Sequence, residues 1–150
     1  MQIEIIRAEK KHIRDVSILF DLYRQFYKYE EDIKNSEYYI RSRITNNESV
    51  IFIATNNAKI YGFVQLYENF DSLNLNKKLI LYDLYILSKY RNLGIGRKLM
   101  NKSKDFAINN NFQRIELSTA TDNSNAQKLY ESLDYIRDKE YYNYDLEIKK

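Results

Sequence analysis

The chain has no cysteine, proline or tryptophan, and only three glycines and one histidine in 150 residues. Without cysteine there is no disulfide, no thiolate metal site and no thiol nucleophile. A lone histidine, His12, cannot form a metal-binding cluster. A serine–histidine–aspartate triad would have to use it, and the G-x-S-x-G elbow that presents such a serine is missing. No apolar run approaches the ~20 residues needed to cross a bilayer. The first residues, MQIEIIRAEK, carry Glu4 and Glu9 where a signal peptide would be basic and then uninterruptedly apolar. No membrane role is expected, and the expected compartment is the cytoplasm. Net charge is only +3, with both signs mixed along the chain. That permits an anionic ligand but supplies no concentrated basic face, so no nucleic-acid partner is expected.

What is present is apolar periodicity. The length suits one domain, 1–150. Ile3 and Ile5 open a short strand. From Lys10 to Tyr29 the apolar residues Ile13, Val16, Leu19, Phe20, Tyr23, Phe26 and Tyr27 recur at helical spacing. Glu30–Asp32 interrupts them, and a second helix is expected near Ser36–Ile44. Ser49–Ala54 reads as a strand, Asn56–Asn57 as a turn tolerant of positive φ, and Lys59–Tyr67 as the returning strand. Asp71–Asn76 is polar loop. Leu79–Leu87 contains LILYDLYIL, an almost continuous apolar run typical of a strand buried on both faces. A helix over Gly94–Asn109, a strand over Phe112–Thr119, a helix over Asn123–Leu133 and hairpin strands over Tyr135–Ile148 complete the series. Strand, helix and strand from Leu79 to Thr119 form a right-handed unit with parallel strands. The fold class is α/β (α+β), with a mixed sheet and helices on both faces.

The most informative segment is Arg91-Asn92-Leu93-Gly94-Ile95-Gly96-Arg97-Lys98, between the buried strand and the following helix. A helix N-terminus offers free backbone N–H groups and the positive end of the macrodipole, hence an anion site. Gly94 and Gly96 let backbone approach an anion without a Cβ between them, and Arg91, Arg97 and Lys98 add positive charge. The competing reading is a strand-to-helix turn that uses glycine for close packing. A dinucleotide fingerprint would need glycine where Leu99 stands, and no G-x-x-x-x-G-K-[ST] string exists. The turn therefore suits a diphosphate without pointing to NAD or ATP.

Arg91–Gly96 also resembles the R/Q-x-x-G-x-G/A signature of the GNAT acetyltransferase superfamily. Asn123-Ser124-Asn125-Ala126-Gln127-Lys128-Leu129-Tyr130 is similar to that family's N-x-x-A-x-x-L-Y motif, at a matching separation. The chain departs from the family at Leu133-Asp134-Tyr135, where L-G-F is usual. Asp134 would then occupy a left-handed position at a helix end. The resemblance implies a GNAT fold: a mostly antiparallel sheet of about six to seven strands around a central, splayed parallel pair.

It also implies acetyl-CoA as cofactor and an N-acetyltransferase acting on a primary amine, either a small-molecule amine or polyamine or a protein lysine. The alternative is an acyl-CoA-binding module without turnover. By the resemblance, the amides of Arg91, Asn92, Leu93, Gly94, Ile95, Gly96 and Arg97 hold the pyrophosphate. Backbone groups of Leu84, Tyr85 and Ile86 pair with the pantetheine arm, and one of these amides polarises the acetyl carbonyl. Asn123 and Ala126 contact the cofactor, and Tyr130 protonates the CoA sulfur; its competing role is a core aromatic. Small GNAT domains often pair, so a homodimer through the tyrosine-rich tail Tyr141–Tyr144 is expected.

The general base has to be read from the residues. Asp83 is a carboxylate inside an apolar run, costly unless paired or functional. It is a candidate base and amine-binding group, and equally a structural carboxylate. Glu116 is a second candidate for the base. Phe20, Tyr23 and Tyr27 share a helical stripe that either lines an acceptor site or belongs to the core. Glu30, Glu31 and Asp32 either attract a cationic amine or form a solvated connection.

Overall fold

One long hairpin organises the sheet. Strand β3 (Ile60–Asp71) and strand β4 (Asn76–Ile86) pair antiparallel from Gly62↔Ile86 down to Asp71↔Asn76. The segment expected as a polar loop, Asp71–Asn76, is the turn of this hairpin, with residues 72–75 between the paired Asp71 and Asn76. The two strands run further toward it than hydropathy shows, because 68–71 and 76–78 are mostly polar residues whose backbone pairs. The turn closes through Leu75 at φ 54, with its amide on the Ser72 carbonyl at 3.1 Å.

The computed structural model describes residues 2–149. They fall into two compact units, Met1–Ser118 and Thr119–Lys150. In the first, β1 (Glu4–Arg7), β2 (Val50–Thr55), β3, β4 and β5 (Ile115–Glu116) stand in sequence order in one sheet. All neighbours are antiparallel except β4 and β5, which run parallel. The β2 run VIFIAT is buried throughout, as a β-branched strand flanked by two others should be. Its residues alternate between two layers. Ile51 and Ile53 pack with Val16, Leu19 and Phe20 of α1 (Ile13–Phe26) and Ile40 of α2 (Ile33–Thr45). Phe52 meets Phe106 of α3 (Ile95–Asn109) edge-on, with ring centroids 5.7 Å apart. Helices thus cover both faces, as the periodicity predicts.

Local chemistry sets the helix ends. The α1 helix begins three residues later than expected, because Lys10–His12 forms a tight 3₁₀ turn. There His12 Nδ1 accepts the Glu9 amide at 2.9 Å, which gives the histidine a capping role. Asp32 caps α2 by accepting the Asn35 amide at 3.2 Å, so part of the acidic cluster is structural.

Asp21 of α1 joins the two helices. It accepts from the Ser36 hydroxyl at 2.6 Å, the Asp32 amide at 3.1 Å and Gln25 at 3.0 Å. Burial opposes charge on this carboxyl, but these donors and Arg24 outweigh it and hold its pKa below the usual carboxylate value.

The described strands number five, fewer than the six to seven expected, and the parallel pair therefore lies at the end of the sheet. Two differences account for this. The strand expected over Phe112–Thr119 narrows to Ile115–Glu116, because its pairing with β4 stops at Ile80↔Glu116. The tail expected as strands over Tyr135–Ile148 carries none. Tyr142, Tyr144, Leu146 and Ile148 alternate with polar residues as a strand would, yet stand 78–93% exposed. Alternation alone does not hold a strand that lacks a partner to bury its apolar face.

In the second unit, α4 (Ser124–Ser132) starts under Asn123, whose side-chain oxygen accepts the Ala126 amide at 3.3 Å. It ends at Asp134, whose φ of 68 is the left-handed conformation expected there. The Tyr135 amide closes the turn on the Tyr130 carbonyl at 3.1 Å.

Candidate functional site

The β4–β5 pair separates almost as soon as it forms. Leu79 and Ile80 face Ile115 and Glu116, and beyond them β4 continues to Ile86 without a parallel partner among the described residues. The register also shifts there: Gln65 faces Asp83 but Leu66 faces Leu81, so Tyr82 is an extra residue in β4. Such a bulge bends a strand and strengthens its twist, which carries the Tyr82–Ile86 edge away from β5. The sequence places a strand here but shows neither the bulge nor the open edge. The residues expected to pair with an extended ligand, Leu84, Tyr85 and Ile86, lie on that stretch, and all are half-buried.

After Ile86 the chain makes a 3₁₀ turn at Ser88–Tyr90 and enters α3 through Asn92 and Gly94, both at positive φ (63 and 82). The cap residue Gly94 has no side chain to offer the first amides of α3, whereas α2 and α4 begin under Asp32 and Asn123. A Cβ built at Gly94 would meet nothing within 4 Å. The start of α3 is thus an open cradle with uncapped N–H groups, suited to a phosphate-bearing group. The Arg91 guanidinium has a structural post beside it. It donates to the Ile86 carbonyl at 2.9 Å and lies 5.3 Å from the Tyr85 ring centroid. Arg91 therefore ties turn to strand.

On the α1–α2 side of the bulge lies the second half of the site. Asp83 is 3% exposed. It accepts from Gln65 Nε2 at 2.7 Å. The Tyr23 hydroxyl donates to the Tyr82 carbonyl at 3.2 Å and also reaches the Asp83 carboxyl. Burial raises the Asp83 pKa, and the Gln65 and Tyr23 bonds offset this only in part. The Tyr23 phenol is raised as well, by burial first and then by the Asp83 charge. Tyr27 packs edge-on against Tyr23 at 5.2 Å but is itself exposed. Glu116 pairs with Lys78 at 3.0 Å.

Beside Asp83 a cleft of about 410 Å³ is lined by Tyr39, Tyr67, Glu68, Asn69, Ile80 and Tyr82. The Tyr39 and Tyr67 hydroxyls are 2.7 Å apart, and the Tyr67 and Tyr82 rings meet edge-on at 5.8 Å. Tyr39 and Tyr82 did not stand out in a chain with fifteen tyrosines. Nor did Gln65 or Ser49, whose hydroxyl donates to Gln65 Oε1 at 2.7 Å. Their signal was polarity inside otherwise apolar strands, the same sign that marks Asp83. In the second unit, the Tyr130 ring lies 6.1 Å from that of Tyr135, and Asn123 and Ala126 are joined by the cap that starts α4.

A buried carboxyl, an open strand edge and a glycine turn without a side-chain cap thus follow one another along β4 and into α3. The family model for the Acetyltransferase (GNAT) family matches residues 16–135. The chain belongs to that family. This GNAT acetyltransferase is 34% identical over 144 residues to the N-acetyltransferase YhfO of Bacillus subtilis, covering 96% of this chain and 97% of that one. It is 26% identical to the thialysine N-epsilon-acetyltransferase of Caenorhabditis elegans over 89% of this chain and 82% of that one. A crystal structure of a probable acetyltransferase superposes with a TM-score of 0.91 at 34% identity, over 98% of this chain and 99% of the other.

Proposed function

We propose that this GNAT acetyltransferase transfers the acetyl group of acetyl-CoA to a primary amine by direct attack, with residues 1–150 working as a single domain. The observation that carries this is the divergence of β4 from β5 directly before the uncapped start of α3. The residues present fit the donor. An extended amide chain matches the open edge at Leu84–Ile86, and a diphosphate matches the turn at Arg91–Arg97, where Gly94 leaves room. The family match spans both units, which supports a single working domain.

Acetyl-CoA supplies an acetyl thioester. The amides of Leu84–Ile86 hold the arm, and one of them polarises the acetyl carbonyl as an oxyanion-hole donor. Asn123 and Ala126 would contact the donor as well. In the transfer, the amine nitrogen bonds to the acetyl carbon and the carbon–sulfur bond breaks. The nitrogen's proton passes to the Tyr23 hydroxyl as that hydroxyl yields its own to Asp83. Tyr130 protonates the departing thiolate. A carboxyl raised by burial is a better match to proton transfer near neutrality than an ordinary one. The amine enters past Tyr27 and the cleft at Tyr39, Tyr67 and Tyr82. The relative named for thialysine supports a small amine over a protein lysine.

The same reading makes the protein a cytoplasmic homodimer, its tail residues Tyr141–Tyr144 and Leu146 covered by a second copy. A monomer by light scattering at micromolar concentration would remove the dimer. The activity is tested by CoA release against a panel of primary amines, beside calorimetric titration with acetyl-CoA. Turnover with at least one amine supports the proposal. Binding of acetyl-CoA without turnover on any amine would instead make the protein a non-catalytic acyl-CoA-binding module.

A further inference from the structure

Ser49, directly before β2, Gln65 of β3 and Asp83 of β4 form a buried polar chain, and the sequence marks only the last of them. Gln65 is completely buried and Ser49 is 9% exposed. The bonds at either end of the Gln65 amide are both 2.7 Å. A glutamine amide has one end that accepts and one that donates. A charged carboxylate can only accept, so it requires the N–H end. A protonated carboxyl could also tolerate the carbonyl end. The charged carboxylate therefore selects the orientation, and the Ser49 hydroxyl, which can donate, satisfies Oε1 at the other end. Three hydrogen-bonding groups are left in a core where each would cost stability if unpaired.

We propose that Ser49 and Gln65 are positioning residues for acetyl transfer: Gln65 presents its amide N–H to Asp83, Ser49 satisfies and holds the carbonyl end of the same amide, and together they keep Asp83 able to accept the amine's proton. The inference rests on the proposed role of Asp83. The other groups that face Asp83 are Tyr23 from α1, which bonds it, and Tyr67 from β3, whose phenol is raised by burial first, then by the Tyr39 bond and the Asp83 charge. Tyr39 of α2 lies behind Tyr67. No cation is among the influences on Asp83, so the amide is its main stabilising partner after burial has raised it.

The test is the pH dependence of kcat/KM for Gln65→Met and Ser49→Ala, with acetyl-CoA affinity measured in parallel. Gln65→Met keeps the volume and removes the donor, and should move the acid-limb midpoint up by about one pH unit. Ser49→Ala leaves Oε1 without its donor and loosens the amide, and should move it in the same direction by less. Both should regain activity toward alkaline pH with acetyl-CoA binding unchanged. A purely structural role would lower activity equally at every pH and leave the midpoint in place, which overturns the inference. If Gln65→Met does not fold, Ser49→Ala and a carboxyl-carbon NMR titration of Asp83 in that variant decide the matter. Asp83→Asn separates the two levels. Wild-type activity in Asp83→Asn removes the role of Asp83 itself. An inactive Asp83→Asn beside unmoved midpoints in the other two removes only the contribution of Ser49 and Gln65.

Discussion

Ser36 of α2 donates its hydroxyl to the Asp21 carboxyl of α1 at 2.6 Å, and both side chains are buried. This bond, with the Asp32 amide and Gln25 on the same carboxyl, joins the two helices that cover the Asp83 face of the sheet. Asp21→Ala should destabilise the protein by about 2–4 kcal/mol, since it strands the buried Ser36 hydroxyl and also removes the acceptor of the Asp32 amide and Gln25. The pKa of Asp21 is lowered in the folded state. Its contribution is therefore complete above the unfolded carboxylate value and is lost as pH falls through the lower folded value. Urea unfolding at pH 7 and at pH 3 should show the gap between wild type and variant shrinking on the acid side.

Asp83 has the opposite sign. Its folded pKa is raised, chiefly by burial. The stability tied to its proton is present below the unfolded carboxylate value and falls as pH rises through the folded one. Asp83→Asn keeps an acceptor for Gln65 and carries no charge. It should melt higher than wild type at pH 8, match it near pH 4, and lose about 100-fold or more in kcat/KM. Melting curves at the two pH values and a CoA-release assay check this. A variant that is less stable at pH 8 and fully active would contradict both the sign and the role.

Gly94 separates backbone strain from charge. At φ 82 any side chain is strained, although its Cβ has open space. Gly94→Ala should therefore cost about 1–2 kcal/mol of stability and leave acetyl-CoA binding within a few-fold. Gly94→Glu should cost a similar amount and weaken binding by more than tenfold, since the added carboxylate meets the diphosphate. Calorimetry on both, with circular dichroism for the fold, reads the difference.

Gly62 is constrained by space. A Cβ there would lie 2.8 Å from the Tyr85 carbonyl oxygen and 2.6 Å from Ile86 Cδ1. The β4 backbone opposite it must then move, and this is the edge proposed to hold the pantetheine arm. Gly62→Ala should destabilise by about 1–3 kcal/mol and also weaken acetyl-CoA binding. Unchanged affinity in a destabilised variant would place the ligand elsewhere on β4.

Tyr130→Phe should lower kcat by about 100-fold while leaving the Kd for acetyl-CoA unchanged, because only the proton donor to sulfur is lost. Equal activity at neutral pH would make Tyr130 a packing residue of α4.

The order of elements was legible because each rests on local pattern: period 3.6 through Val16, Leu19, Phe20 and Tyr23, an apolar run over Leu79–Ile86, and two glycines at the start of α3. The left-handed position of Asp134 was legible for the same reason. Backbone chemistry at a helix end depends on a few neighbouring residues. The two motifs placed the family on short strings of residues. Tertiary structure decided the rest. The bulge at Tyr82 and the early parting of β4 from β5 depend on how distant strands pair, and no periodicity encodes them. The same holds for the Ser49–Gln65–Asp83 chain, whose members are 16 and 18 residues apart along the sequence. The tail at Tyr142–Ile148 makes the converse point. Its alternation satisfies the local rule for a strand, but a strand forms only where another edge accepts its hydrogen bonds and an apolar surface covers its face.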